Sequence, residues 1–161
     1  MVAKLIQLLL EKELPDSALK EYHGSCHCEN FRYELLWPEN TEMLGRSCDC
    51  SFCSRHGAKW SSHCSAEAKI KIQNRQEIIH YRFGQRTAEF HICAVCGIVA
   101  AAIWKDKKMN LGVVNINTLD NAFDKDIKRV TTYFDSENRL TRETRRRASW
   151  MPMLEVTPVL R

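Results

Sequence analysis

The chain has 161 residues, 44% of them hydrophobic and 27% charged, with a formal net charge of +4. That balance suits one soluble globular domain long enough to bury a core of its own. The charge is too modest to argue for nucleic acid by itself, and eight cysteines, about 5% of the chain, fall below the density of a disulfide scaffold.

At the start, Met1–Leu10 is apolar but is interrupted by Lys4 and Gln7 and followed by Glu11-Lys12-Glu13. It carries no small-residue cleavage site and is too short to span a bilayer, so the expectation is a cytoplasmic, reduced protein with no membrane partner. Leu5, Leu8 and Leu9 recur at helical spacing and Pro15 follows, which predicts a short amphipathic helix. Residues 1–20 are therefore read as an N-terminal helix or arm, and residues 21–161 as a single domain.

From Tyr22 the pattern changes to short alternating runs. Phe31–Leu35 and Lys69–Ile72 alternate with a period of two, and Pro38-Glu39-Asn40 marks a turn between them. Ile78–Phe83 is rich in β-branched and aromatic residues and stops at Gly84. Glu89–Ile92, Ile98–Trp104, Leu111–Ile116 and Val130–Phe134 read as further strands. About nine short strands separated by turns predict a mainly β domain built of antiparallel hairpins. The tail Arg142–Ser149 is basic and reads as a solvated, partly ordered terminus, while Trp37, Trp60, Trp104 and Trp150 are scattered and read as core.

Seven of the eight cysteines fall in three clusters: Cys26 and Cys28, then Cys48, Cys50 and Cys53, then Cys93 and Cys96. Paired thiols are chelating half-sites for zinc, and four sulfurs complete a closed tetrahedral site. The outer clusters together supply four, and the middle one supplies three, leaving a coordination position open for chemistry. On a strand, residues i and i+2 share a face, which would let Cys26 and Cys28, or Cys48 and Cys50, present both sulfurs to one ion; Cys53 would then follow a turn. Spacing alone leaves another pairing open, in which Cys48 or Cys50 completes a site with Cys26 and Cys28. Cys64 stands outside the clusters and reads as a buried hydrophobe.

Gly24-Ser-Cys26-His-Cys28, Arg46-Ser-Cys48-Asp-Cys50-Ser-Phe-Cys53-Ser-Arg-His-Gly57, Phe90-His-Ile-Cys93-Ala-Val-Cys96-Gly97 and the stretch Val113–Asp120 together resemble the glutathione-dependent formaldehyde-activating enzyme family. That family also contains centromere protein V. The resemblance implies a β-tent of twisted antiparallel sheets. It implies two zinc ions per chain, one structural on Cys26, Cys28, Cys93 and Cys96 and one catalytic on Cys48, Cys50 and Cys53. It also implies carbon–sulfur lyase chemistry, with a small thiol such as glutathione and an aldehyde such as formaldehyde as partners. Glu29 stands where members commonly carry glycine, and Ile98 where threonine is common. Neither is a ligand, so the departures bear on the substrate rather than on zinc.

Around the open site the sequence offers His56 or His63 as a proton donor, since histidine titrates near neutrality. It offers Arg46, Arg55 and Lys59 as partners for substrate charge, with Arg55 the candidate for a substrate carboxylate. The rival reading is a non-catalytic zinc-binding interaction module like centromere protein V; a third keeps the enzyme and changes the small metabolite. Self-association is compatible with the sequence, and nucleic acid is disfavoured.

Overall fold

The structure is a computed structural model and describes residues 18–107, 109–120 and 127–156. The helix predicted near the N-terminus lies outside them. Among the described residues, eleven strands form one twisted sheet. In chain order these are β1 (Leu19–Ser25), β2 (Phe31–Pro38), β3 (Gly45–Cys48), β4 (Trp60–Ser61), β5 (Glu67–Ile72), β6 (Ile78–Tyr81), β7 (Glu89–Cys93), β8 (Val99–Lys105), β9 (Asn110–Asn115), β10 (Arg129–Thr132) and β11 (Met151–Glu155). Two α-helices interrupt them: α1 (Ser51–His56) after β3, and α2 (Arg139–Ser149) between β10 and β11. The mainly β class is as the alternation predicts.

The sheet branches at β9. Along one edge β9 pairs with β8, so that Val114 faces Ala101 and Gly112 faces Ile103. Along the other edge it meets β11 at Gly112 and then β4 at Val114. From β11 the sheet continues through β5 and β2 to β1, from β4 through β3 to β10, and from β8 through β7 to β6. Most pairings are antiparallel, but β10 runs parallel to β3 and β11 parallel to β5. Hairpin patterning could not foresee those two contacts, because each joins segments some 80 residues apart in sequence.

Two packed cores lie on the two faces. Phe31, Tyr33, Leu35, Ile70, Ile72, Val114 and Met151 fill the larger one. Cys53, Trp60, Ala102, Trp104, Val113 and Trp150 fill the smaller. Strand β8 feeds both: Ala101 and Ile103 point to the first core, and Ala102 and Trp104 to the second. Burial on both faces is why Ile98–Trp104 reads as an unbroken apolar run instead of an alternating one.

One polar chain crosses the larger core. The Thr118 hydroxyl donates to the Asn115 carbonyl at 2.6 Å, which leaves the buried Tyr33 hydroxyl to donate to Thr118 Oγ1 at 3.0 Å. A buried hydroxyl left unpaired would cost about 1–3 kcal/mol. Gly24 is needed beside this pair, because a Cβ there would sit 2.3 Å from the Tyr33 ring and 2.7 Å from the Thr118 carbonyl.

Candidate metal centres and the adjoining pocket

The outer clusters converge. Cys26 and Cys28 lie in the turn between β1 and β2, Cys93 ends β7, and Cys96 lies in the turn before β8. The β1–β2 turn and the β7–β8 turn meet at these cysteines. All four sulfurs fall within 4.8 Å of one another, with Cys26 to Cys28 at 3.7 Å and Cys28 to Cys93 at 3.4 Å. A tetrahedral zinc with ~2.3 Å bonds needs sulfurs about 3.8 Å apart, so the set fits a closed metal site. Burial pushes the Cys26 thiol up to about 12. At Cys96 burial acts the same way, but backbone hydrogen bonds from Cys28 and Ile98 outweigh it and bring the thiol down to about 6. Gly97 closes the turn at φ +75°, and its N–H donates to the Cys93 carbonyl at 2.8 Å.

In the middle cluster, Cys48 is the last residue of β3, Cys50 is the N-cap of α1, and Cys53 lies in the helix. This corrects the expected local geometry. Cys50 leaves the strand, and it is the i, i+3 relation at the start of a helix that brings Cys50 and Cys53 together. Cys26 and Cys28 likewise sit in a turn and not on a strand. The three sulfurs of the middle cluster lie within 4.8 Å of one another, with no fourth His, Cys, Asp or Glu joining them among the described residues. The Cys53 N–H donates to Cys50 Sγ at 3.5 Å, and Trp60 Nε1–H donates to Cys53 Sγ at 3.3 Å. A hydrogen bond from the Cys53 thiol lowers Cys48 to about 6, and the same bond pushes Cys53 up. Three thiols that share their protons so readily suit a metal, which takes the thiolate form.

The three-cysteine cluster opens onto a pocket of about 460 Å³, whereas none of the four-cysteine sulfurs lines it. Trp60, Phe83, Phe90, Ala102, Val113 and Trp150 make its apolar walls. Four arginines line it as well: Arg46 from β3 and Arg142, Arg145 and Arg146 from α2. Glu137 accepts two bonds from Arg145, at 2.6 and 3.0 Å, and lies 3.3 Å from Arg142 Nε. Arg46 and Arg146 have no carboxylate partner among the described residues. Arg46 donates to the Ser62 hydroxyl at 2.6 Å, and Arg146 to the Thr87 hydroxyl at 2.7 Å. Burial lowers the affinity of both for their protons, and neighbouring arginine charge adds to it; Arg146 falls to about 10. Cations crowded and dehydrated in this way favour an anionic guest.

The sequence profile of the glutathione-dependent formaldehyde-activating enzymes matches residues 21–137. The chain belongs to that family. Among solved structures, the crystal structure of a Rhodobacter sphaeroides protein is 26% identical, over 67% of this chain and 99% of that one, with a TM-score of 0.49. No curated protein matches the chain. The match to the glutathione-dependent formaldehyde-activating enzymes ends at 137, two residues before α2 begins, so three of the four pocket arginines lie beyond it.

Of the other residues that the sequence suggests, Arg46 reaches the pocket and the rest do not line it. Arg55 is exposed and donates to the Ser51 carbonyl at 3.1 Å. His56 is exposed and packs on Phe52, with ring centroids 4.5 Å apart. His63 Nδ1 accepts from the Ser65 N–H at 3.1 Å, with its ring 5.9 Å from Trp37. The Lys59 N–H donates to Asn115 Oδ1. Cys64 is exposed, contrary to its reading as a buried hydrophobe. The basic tail is not a solvated terminus but a helix. Asn138 caps it, accepting from the Thr141 N–H at 2.9 Å, and Arg146 stacks 4.5 Å from the Trp150 ring centroid. An N-cap asparagine before the run, and a tryptophan after it to pack on, are the signals that could have found it. Glu29 adopts φ +62°, a left-handed backbone conformation that glycine takes more readily than glutamate.

Proposed function

We propose that the chain is a zinc-dependent carbon–sulfur lyase of the glutathione-dependent formaldehyde-activating type, which adds a small thiol to an aldehyde or releases it. The observation that carries this reading is the division between the clusters: the three-cysteine set faces a pocket and the four-cysteine set does not. In this reading there are two zinc ions per chain. Cys26, Cys28, Cys93 and Cys96 hold a structural ion, and Cys48, Cys50 and Cys53 hold a catalytic one. Bound there, zinc supplies a position at which a substrate thiol is captured in its deprotonated form. Eight cysteines with no disulfide among them belong in a reducing compartment, which this reading takes to be the cytoplasm.

The rest of the task falls to the chain's own side chains. Trp60 donates to Cys53 and holds that sulfur in place. The apolar walls displace water from the reacting groups, and confining thiol and aldehyde together lowers the entropic part of the barrier. Arg142 and Arg145 share the one carboxylate of Glu137 whereas Arg46 and Arg146 pair with none, so Arg46 and Arg146 are the residues assigned to the carboxylates of the thiol. They take the role that the sequence alone would give Arg55. In the addition, the sulfur lone pair forms the bond to the carbonyl carbon, and the C=O pair moves to oxygen, which takes up a proton. Release runs the same steps backwards. No histidine lines the pocket, so the proton is assigned to water at its mouth rather than to His56.

The test is consumption of glutathione plus formaldehyde by the zinc-loaded chain, compared with the Cys50→Ser variant. Turnover that needs both zinc and Cys50 supports the reading. Full activity in Cys50→Ser, or none in a fully loaded wild type across small anionic thiols, rejects it.

A further inference from the structure

We propose that His80, Glu89 and His91 form a divalent-cation site of two imidazoles and one carboxylate, separate from both sulfur clusters. The register of the β6–β7 hairpin builds it. His80 pairs directly across from His91, and their ring centroids are 4.5 Å apart. Glu89 precedes His91 by two residues on β7 and so projects from the same face. One ligating atom from each of the three falls within 4.8 Å of the others.

Two observations point to a ligand and not to a plain salt bridge. His91 is only 8% exposed, and neither ring nitrogen has a hydrogen-bond partner among the described residues. A buried polar group is ordinarily paired, and imidazole nitrogens left open beside a carboxylate are metal donors in waiting. Glu89 also divides its two oxygens. Oε1 accepts from Arg82 at 2.5 Å and lies 3.1 Å from Lys105 Nζ, whereas Oε2 faces His80 Nδ1 at 3.1 Å. One oxygen thus anchors the carboxylate and the other is turned toward the imidazoles, as outer-sphere partners orient a ligating carboxylate.

Access exists on both sides. The His80 side chain is 47% exposed, and a second cavity of about 140 Å³ is lined by His80, His91, Lys105 and Asn110. Two imidazoles and one carboxylate select a first-row transition ion over calcium or magnesium, which prefer oxygen alone. Arg82 and Lys105 act in opposite senses, since they orient Glu89 but repel a cation. Removing one positive charge should therefore tighten binding.

The experiment uses the full chain given only two equivalents of zinc, which the thiolates take ahead of imidazole and carboxylate and which cobalt displaces poorly from them. Co²⁺ is then titrated in, followed by calorimetry and by absorption. The expected result is about one further ion per chain, with ligand-field bands but no thiolate charge-transfer absorption. His80→Ala, which alters a half-exposed side chain and leaves the core alone, should weaken that binding about tenfold or more, as should Glu89→Gln. Lys105→Met should strengthen it. A wild type that takes up no cobalt overturns the proposal. So does uptake that both variants leave unchanged, or uptake accompanied by thiolate charge transfer.

Discussion

The indole N–H of Trp60 donates to the sulfur of Cys53 at 3.3 Å, across the floor of the pocket. It ties the three-cysteine cluster to β4 and so to the centre of the sheet. Trp60→Phe keeps the packing and removes only the donor. Zinc affinity at this cluster should fall about tenfold, while the four-cysteine site is unchanged. Competition with a chromophoric chelator measures both sites, and equal affinity in the two proteins would show that the bond has no hold on the metal.

Cys50→Ser and Cys96→Ser should part company. Serine is a better N-cap than cysteine for α1, so Cys50→Ser keeps its fold and loses about one zinc together with turnover. On the proposed reading Cys96→Ser breaks a closed site whose metal would contribute folding free energy directly, and the domain should unfold. Metal content and circular dichroism on both variants decide this, and matching behaviour would remove the division of roles.

Arg146→Met leaves an apolar stem against Trp150 and removes a guanidinium that has no carboxylate partner. KM for glutathione should rise about tenfold or more, equivalent to ~1.4 kcal/mol, with little change in kcat. An uncharged thiol such as 2-mercaptoethanol should be indifferent to the change. Arg55→Ala, on the exposed face of α1, should alter neither substrate.

In metal-stripped protein, Cys48 and Cys96 should be the two fastest thiols toward iodoacetamide, and Cys48 is the one whose rate depends on Cys53. The bond from Cys53 lowers it from 9.0 to about 6, so near pH 7 it is mostly thiolate, and its rate should fall as pH drops through about 6. Cys53→Ala deletes the donor and should move that midpoint back up. Peptide mapping of the alkylated chain across pH gives the profile directly.

The cysteine clusters could be read from the sequence because metal chemistry depends on residue type and short spacing. The strands were legible for a similar reason, since Phe31–Leu35 and Lys69–Ile72 alternate locally. What escaped was long-range or double-natured. The parallel pairings of β3 with β10 and β5 with β11 depend on chain reversals that no local pattern records. Arg145 and Arg146 looked like surface because guanidinium is usually solvated, yet their planar heads lie against Phe134 and Trp150. Arg55 and His56 looked like active-site neighbours because they follow Cys53 closely, but the turn of α1 carries both away from the pocket.

Helix α2 is pinned at its far end by β11, which is inserted between β5 and β9 in the interior of the sheet. The guanidinium-bearing segment therefore behaves as a cassette clipped into a frame, with the cysteine clusters left in the frame itself. A lineage could rewrite residues 139–149 to suit a different guest without disturbing either cysteine nest, so selectivity and reactivity are free to drift apart.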